Sequence, residues 1–259
     1  MAHTHFIGID PTAGRRPMDF AVLDVDLRPA SAKGGLDEVL NAIASAGRAG
    51  AVVAVDAPQS VNSGLMASDE YRATLVPPPA PGRWKHYKVC EYQLKRRGIG
   101  LYNTPAAAVE APAWMQAGFG LYAALHQAGF VPYLPGSDAP RQVLEVHPHA
   151  CFTVMLGRLP LPKLTLEGRL QRQLVLYRTG VDVKNPMDTL EELTAAHLLA
   201  GHLPLPGLLD HDALDALAAA YTAFLAATEP ARVTLVGDPA EGQIVLPVGE
   251  GELKEMYTR

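Results

Sequence analysis

The stretch His5-Phe6-Ile7-Gly8-Ile9-Asp10 is an almost continuous apolar run that ends in a carboxylate and is followed by Pro11. A run this short, with β-branched residues in it, indicates a strand buried on both faces of a sheet. Proline cannot donate a hydrogen bond to a neighbouring strand, so we expect the strand to end before Pro11. Asp10 then lies at the carboxyl end of a central strand, where open α/β sheets bind their ligands.

The segment Ala51-Val52-Val53-Ala54-Val55-Asp56 has the same design, and Pro58 follows it closely. Between the two segments, apolar residues recur at helical spacing and predict a helix from about Leu36 to Ala46. A strand, a helix and a second strand in this order favour parallel pairing through a right-handed crossover. We therefore expect Asp10 and Asp56 at the same edge of the sheet.

The length and composition of the chain are those of an ordinary globular protein. Of its 259 residues, 48% are hydrophobic and 19% are charged. We therefore expect one domain with a substantial core over residues 1–259. The formal net charge of −5 argues against a protein that coats nucleic acid non-specifically, but it is compatible with a nuclease that has one local basic patch.

The cysteines and the apolar segments predict the cellular setting. Cys90 and Cys151 are far apart and form no CxxC pattern, which disfavours a disulfide framework and a structural zinc site. The start of the sequence lacks the basic segment and apolar core of a signal peptide. No apolar stretch reaches the roughly 18 to 20 residues that a membrane span needs. We expect a reduced, cytoplasmic protein that does not bind membranes.

The remainder of the chain predicts further elements and one irregular insertion. Residues 57–87 are rich in proline and serine, which is typical of a long irregular segment, although Met66 to Leu75 could form a helical turn or two. Residues 230–250 predict a closing hairpin. The other predicted elements are strands at about Met18 to Asp26, Leu27 to Lys33 and Gln142 to His147, and helices at about Tyr87 to Arg97, Pro112 to Ala128, Leu166 to Tyr177, Pro186 to Leu199 and Asp210 to Leu225.

The last predicted helix carries two acids of interest. From Ala213 to Thr228 its only charged residue is Asp215, so this helix is buried and its carboxylate is paired, protonated or bound to metal. Asp212 lies three residues earlier and therefore on the same helical face. Glu145 lies among apolar neighbours in a predicted interior strand. The candidate catalytic acids are Asp10, Asp56, Glu145, Asp212 and Asp215.

Acids alone, without cysteine or paired histidine spacing, suit Mg²⁺ or Mn²⁺ better than zinc. Two such ions, held about 3.5 to 4 Å apart by bridging carboxylates, promote in-line attack of water on a phosphodiester. The pattern therefore predicts metal-dependent phosphodiester hydrolysis. We expect Asp10, Asp56 and Asp215 to be the metal ligands, with Glu145 and Asp212 as secondary catalytic candidates.

Several of these residues also have a structural interpretation. Asp212 could simply favour the first turn of its helix, where the helix dipole attracts an acid. Glu145 could be a buried acid paired with an arginine. His147 and His149 flank a proline at a strand end, which is more typical of structural histidines than of a metal pair. His211 could act as a general acid or base, or lie exposed near the helix cap.

The densest positive patch of the sequence begins at Arg83 and ends at Arg97. One interpretation is a solvated helix face whose last cations suit the helix dipole. The other is a nucleic-acid-binding surface in which Lys88, Arg96 and Arg97 contact phosphates and aromatic residues such as Trp84 stack on bases.

Six short motifs, in order along nearly the whole chain, resemble the family catalogued as domain of unknown function 429. That family is regarded as predicted nucleases of RNase H-like fold. The resemblance implies Asp10 on the first strand, Asp56 on the fourth, and Asp212 with Asp215 on the last core helix, similar to the acids of Holliday-junction resolvases. In those resolvases the fourth-strand acid is usually Glu. The motifs are Gly8-Ile9-Asp10, Val55-Asp56-Ala57-Pro58, Cys90-Glu91 with Arg96-Arg97-Gly98-Ile99, Glu145-Val146-His147-Pro148, His211-Asp212 to Asp215-Ala216, and Glu241-Gly242-Gln243-Ile244-Val245-Leu246-Pro247.

The expected fold class is α/β, with an RNase H-like mixed sheet flanked by helices, a Pro-rich insertion and an added C-terminal hairpin. The leading functional hypothesis is a Mg²⁺- or Mn²⁺-dependent nuclease whose substrate is nucleic acid. A phosphotransferase of the actin and sugar-kinase type also begins with a strand-end aspartate, but Pro11 removes a donor from the phosphate-binding turn and no Gly-rich turn is present. A third hypothesis is a binding protein that keeps the fold without catalysis.

Overall fold

The computed structural model describes residues 5–12, 16–46, 50–79, 82–203 and 205–259. In these ranges one mixed sheet of eight strands runs through the molecule, and helices cover both of its faces. The strands are β1 (His5–Asp10), β2 (Met18–Leu23), β3 (Pro29–Gly34), β4 (Ala51–Val55), β5 (Val131–Pro132), β6 (Arg141–Glu145), β7 (Thr234–Asp238) and β8 (Gly242–Leu246). The α-helices are α1 (Leu36–Ala46), α2 (Asp69–Thr74), α3 (Val89–Arg96), α4 (Ala113–Gln127), α5 (Pro148–Leu156), α6 (Leu166–Arg178), α7 (Pro186–Glu191), α8 (Ala195–Leu199) and α9 (His211–Thr228).

The strand order is β3-β2-β1-β4-β6-β8-β7, and the short β5 pairs with β6 outside this path. The central strands β1, β4, β6 and β8 run parallel to one another. Strands β2 and β3 form an antiparallel meander with β1, and β7 pairs antiparallel with β8. This arrangement is consistent with an RNase H-like sheet that is extended by a C-terminal hairpin, so the predicted fold class is confirmed.

Residue parity along the central strands determines where the acids lie. Phe6 of β1 and Ala54 of β4 pack with α5, α6 and α9 on one face, whereas odd-numbered residues of the same strands pack with α1 and α4 on the other. Asp10 and Asp56 continue the even-numbered series. The amide of Asp56 donates to the carbonyl of Ile9 at 2.9 Å, which holds the two aspartates side by side at the carboxyl ends of β1 and β4.

Helix α9 lies directly on β1. At Gly8 the contact is so close that an added Cβ would overlap the carbonyl oxygen of Ala216 and the amide nitrogen of Ala220. Asp210 caps the helix, because its side chain accepts a hydrogen bond from the amide of Ala213 at 2.8 Å. Although α9 is long and alanine-rich, neither it nor any other helix that the structure describes has the length and apolarity to cross a membrane.

Some predicted boundaries are wrong. Strand β2 ends at Leu23 and not at Asp26, because the Asp24 carboxylate accepts the amides of Asp26 and Arg28 and closes a turn. In this turn Leu27 has a φ of 60°. The predicted helix from Pro186 to Leu199 is in fact two helices, α7 and α8.

Helix α5 and the insertion at 57–87 also differ in how far the sequence predicts them. The sequence pattern gave no sign of α5, which begins at Pro148 directly after β6 because proline suits the first position of a helix. The insertion at 57–87 is irregular as predicted, and in its described residues the regular structure before α3 consists of α2 and a 3₁₀ turn at Leu65–Ala67. Ala80 and Pro81 of this insertion lie outside the described residues.

The close contact between β1 and α9 predicts a large penalty for a side chain at Gly8. Gly8→Ala should lower the free energy of unfolding by about 2 to 3 kcal/mol, because the methyl group can be accommodated only by moving α9. Gly120→Ala is a matched control: Gly120 lies in α4 with open space around it, and this change should raise stability by roughly 0.5 to 1 kcal/mol. Urea unfolding monitored by circular dichroism measures both. Equal effects of the two substitutions would contradict the packing described.

Candidate active site

Four aspartates from distant parts of the sequence lie around one region above the sheet. Asp10, Asp56 and Asp212 line a cleft with a volume of ≈550 Å³. Asp215 lines a cavity of ≈350 Å³ that adjoins this cleft, and Asp56 and Lys163 line both. The strand ends of β1 and β4 supply two of the acids, and the first two turns of α9 supply the others.

The aspartates repel one another. Burial raises the pKa of Asp10 to about 9, and the negative charges of Asp56 and Asp215 add to this shift. The pKa of Asp215 is also raised by burial, which the charge of Lys163 partly offsets. Like charges crowded in a poorly solvated site are stabilised by protonation or by a cation. The cleft is therefore suited to bind positive charge.

Lys163 supplies a positive charge inside this group of acids. It lies in the connection between α5 and α6, and its Nζ is 2.7 Å from Oδ2 of Asp215. Burial alone would lower the pKa of Lys163, but the negative charges of Asp215 and Asp10 outweigh burial and raise the pKa. No motif in the sequence identified Lys163, because a single lysine in a proline-rich loop has no characteristic spacing.

The donor chemistry of the cleft fits Mg²⁺ or Mn²⁺, because the four acids offer only carboxylate oxygens. In the arrangement observed, no three His, Cys, Asp or Glu side chains among the described residues are placed to hold a metal ion. Lys163 is paired with Asp215 instead. Binding of an ion to Asp215 would therefore require side-chain rotation and release of the lysine.

Asp212 lies close to two nitrogen-bearing side chains. Oδ1 of Asp212 is 2.7 Å from Nδ1 of its neighbour His211. Oδ2 of Asp212 is 3.5 Å from Nη1 of Arg16, which precedes β2 and is largely exposed. All three residues line the cleft. Asp212, in the first turn of α9, thus interacts favourably with the helix dipole and also lines the cleft.

His147 lies in the cleft, although the sequence pattern favoured a structural role. Its Nε2 is 3.1 Å from the carbonyl of Gly100, so Nε2 carries the proton that is donated to this acceptor. Its Nδ1 is buried, makes no hydrogen bond and lies 3.7 Å from Oδ1 of Asp56. The Nδ1 atom of His147 therefore faces Asp56 without a hydrogen-bond partner.

Aromatic rings form one wall of the cleft. The ring centroid of Tyr102 lies 5.1 Å from that of Trp114 and 5.5 Å from that of His147. The hydroxyl of Tyr102 donates to Oε1 of Glu145 at 3.2 Å, which fixes the ring. No sequence pattern identified Tyr102, because it lies in a loop without periodicity.

The structure does not bring Glu145 to the four aspartates. Like Val143, it lies on the face of β6 away from α9, and it is fully buried. Its carboxylate accepts hydrogen bonds from the amide of Gln59 and the hydroxyl of Tyr102. Burial raises its pKa. This placement contradicts a direct catalytic role and makes Glu145 a support for the wall of the cleft.

Of the three predicted phosphate contacts, Lys88 is wrong, and Arg96 and Arg97 stay predictions. Lys88 is fully buried and its Nζ lies 3.3 Å from the carbonyl of Ser60, so it cannot contact nucleic acid. Arg96 pairs with Glu255 at 2.8 Å, and Arg97 donates to a carbonyl of its own helix. Neither arginine is among the described residues that line the cleft.

Fold and site together define a mixed α/β protein with an aspartate-rich cleft at the carboxyl ends of its parallel strands. The family model described as "Protein of unknown function (DUF429)" matches residues 8–241, so the chain belongs to this family, as the six sequence motifs predicted. A comparison with curated proteins found no match.

The crowding of the acids predicts that Asp10→Asn stabilises the metal-free protein at neutral pH. The raised pKa keeps Asp10 protonated up to about pH 9 in the folded state, whereas the unfolded chain loses this proton near pH 3.8. Between these values the folded state binds one more proton, so stability falls by up to about 1.4 kcal/mol per pH unit as pH rises. Asparagine does not ionise and avoids this loss.

Urea unfolding of both proteins in chelator, from about pH 5 to about pH 8, measures this difference. The advantage of Asp10→Asn should grow with pH. Asp138→Asn, at an exposed position away from the cleft, should leave the pH dependence unchanged. Parallel curves for wild type and Asp10→Asn would show that the acids do not interact as described.

Proposed function

We propose that this protein is a metal-dependent nuclease that hydrolyses phosphodiester bonds in nucleic acid. The observation that carries this proposal is the meeting of four aspartates, from β1, β4 and α9, around one cleft over the sheet. Clusters of carboxylates bind Mg²⁺ and Mn²⁺ through oxygen ligands. The raised pKa of Asp10 supports the proposal, because it results from burial together with the negative charges of Asp56 and Asp215, and a divalent ion would compensate these charges.

The proposal assigns a role to each acid. Asp10, Asp56 and Asp215 would hold Mg²⁺ or Mn²⁺, and Asp212, anchored by its histidine and arginine partners, would support them from the first turn of α9. When bound, divalent ions activate the attacking water and stabilise the leaving oxygen. Lys163, once released from Asp215, offers a positive charge to the phosphate at the same edge of the cleft.

His147 is suited to accept a proton from the attacking water. The carbonyl of Gly100 binds the proton on Nε2 and fixes the ring, so the lone pair on Nδ1 stays available next to Asp56. A side chain in this position acts as a general base when water lies between it and the phosphate.

The aromatic wall of the cleft supports a nucleic-acid substrate, and the two cysteines support a cytoplasmic location. Tyr102 and Trp114 offer π faces on which bases of a nucleic acid can stack. Cys90 and Cys151 are both free and buried, which is compatible with the cytoplasmic location that we propose.

A panel of labelled DNA and RNA substrates, incubated with Mn²⁺, tests the proposed activity. Wild type should cut at least one substrate, and Asp10→Asn should lower the rate by at least about a hundredfold because it removes a metal ligand. Asp138→Asn should cut like wild type. Equal cutting by wild type and Asp10→Asn would assign the activity to a contaminant or another site, and phosphate transfer from ATP without cutting would favour a phosphotransferase.

A further inference from the structure

The cavity that adjoins the cleft differs from it in charge. Besides the shared Asp56, His147 and Lys163, it is lined by Asp215, His149, Arg172 and Arg259. Lys163 offsets the charge of Asp215 through their 2.7 Å contact. Arg172 and Arg259 then remain as cations that line this cavity and not the cleft. At ≈350 Å³ the cavity has the size of a small-ligand pocket.

Arg172 has an unused hydrogen-bond donor. The residue is 1% exposed, and its Nη1 donates to the carbonyls of Leu161 and Gly168 at 2.8 and 3.3 Å. Its Nε is buried and has no hydrogen-bond partner. A buried charged group whose donors are not all used is costly, and an acceptor in the cavity that Arg172 lines would lower this cost. The guanidinium group suits the geometry of phosphate.

The N-terminus of α5 begins at the same cavity. His147 is the N-cap residue and makes no side-chain capping hydrogen bond, so the first turn of this nine-residue helix is not capped by its own side chain. Free amides and the helix dipole favour an anion at such a position. Burial, together with the positive charges of Arg172 and Lys163, lowers the pKa of His149 to about 4. The surroundings of His149 are therefore positive, and its neutral ring can donate one N–H.

We propose that this basic cavity binds a phosphate group, and that in the working enzyme this group is a phosphate of the nucleic acid next to the one that is cleaved. Arg172, His149, Arg259 and the first turn of α5 supply the donors. The identity of the substrate rests on the proposed nuclease function, whereas binding of the anion does not. The shared lining by Asp56, His147 and Lys163 places the two phosphate positions next to each other.

Calorimetric titration with inorganic phosphate tests the site itself. Wild type should bind phosphate, and the double variant His149→Gln/Arg259→Gln should bind at least about tenfold more weakly because two donors are lost. Arg178→Gln is a matched control, since Arg178 is an exposed arginine of α6 and does not line the cavity. Arg172→Lys keeps the charge but removes Nε, and it should also weaken binding. Absence of phosphate binding by wild type, or equal binding by wild type and the double variant, would overturn the proposal.

Fluorescence anisotropy with a labelled single-stranded oligonucleotide tests the source of the phosphate. Binding is compared in the Asp10→Asn background, which prevents cutting but leaves the basic cavity intact. Addition of His149→Gln/Arg259→Gln should weaken oligonucleotide binding about tenfold, and inorganic phosphate should compete. Unchanged oligonucleotide affinity, with phosphate affinity lost, would overturn the assignment to nucleic acid and indicate a free phosphate or nucleotide. Phosphate binding without any cutting by wild type would refute the nuclease and not the anion site.

Discussion

The contact between α9 and β1 determines the geometry of the whole site. At Gly8 the backbone of the strand and the backbone of the helix touch without an intervening side chain, which fixes the distance between sheet and helix. Asp10 lies two residues beyond this contact on the same face of β1. Asp212 and Asp215 lie one to two turns before it on α9. A larger residue at position 8 would separate these acids, so packing and site depend on the same glycine.

That geometry has an electrostatic consequence. Bringing Asp10, Asp56 and Asp215 into a buried region costs free energy unless a proton or a cation compensates their charge. In the structure Lys163 supplies part of this compensation. The basic cavity beside it, which Arg172 and Arg259 line, adds further positive groups next to these acids. Neighbouring acidic and basic groups suit a ligand whose phosphate groups bind together with metal ions.

The parts of the site that the sequence predicted are those set by periodic secondary structure. Asp10 and Asp56 follow apolar strands, and Asp215 interrupts an apolar helix, so pattern alone located them. Glu145 has the same sequence signal as Asp56. In β6 and directly after it, the even-numbered Leu144 and Val146 face α9, as Ala54 does in β4. The odd-numbered Glu145 therefore lies on the opposite face, in register with Val55 and not with Asp56.

Residues in loops could not be predicted. Lys163 and Tyr102 reach the cleft from irregular segments that pass over the strand ends, and such segments have no period from which direction can be inferred. Lys88 illustrates the reverse case. It belongs to a basic run that is typical of an exposed helix face, yet it is fully buried at the start of α3.

The most direct test of the central claim is a calorimetric titration of the chelator-treated protein with Mn²⁺, compared between wild type, Asp10→Asn and Asp138→Asn. If the aspartates share one cation, wild type and Asp138→Asn should bind Mn²⁺ equally, and Asp10→Asn should bind it at least about tenfold more weakly. Equal affinity of Asp10→Asn and wild type, or no binding by wild type, would contradict a metal site formed by the strand ends and α9.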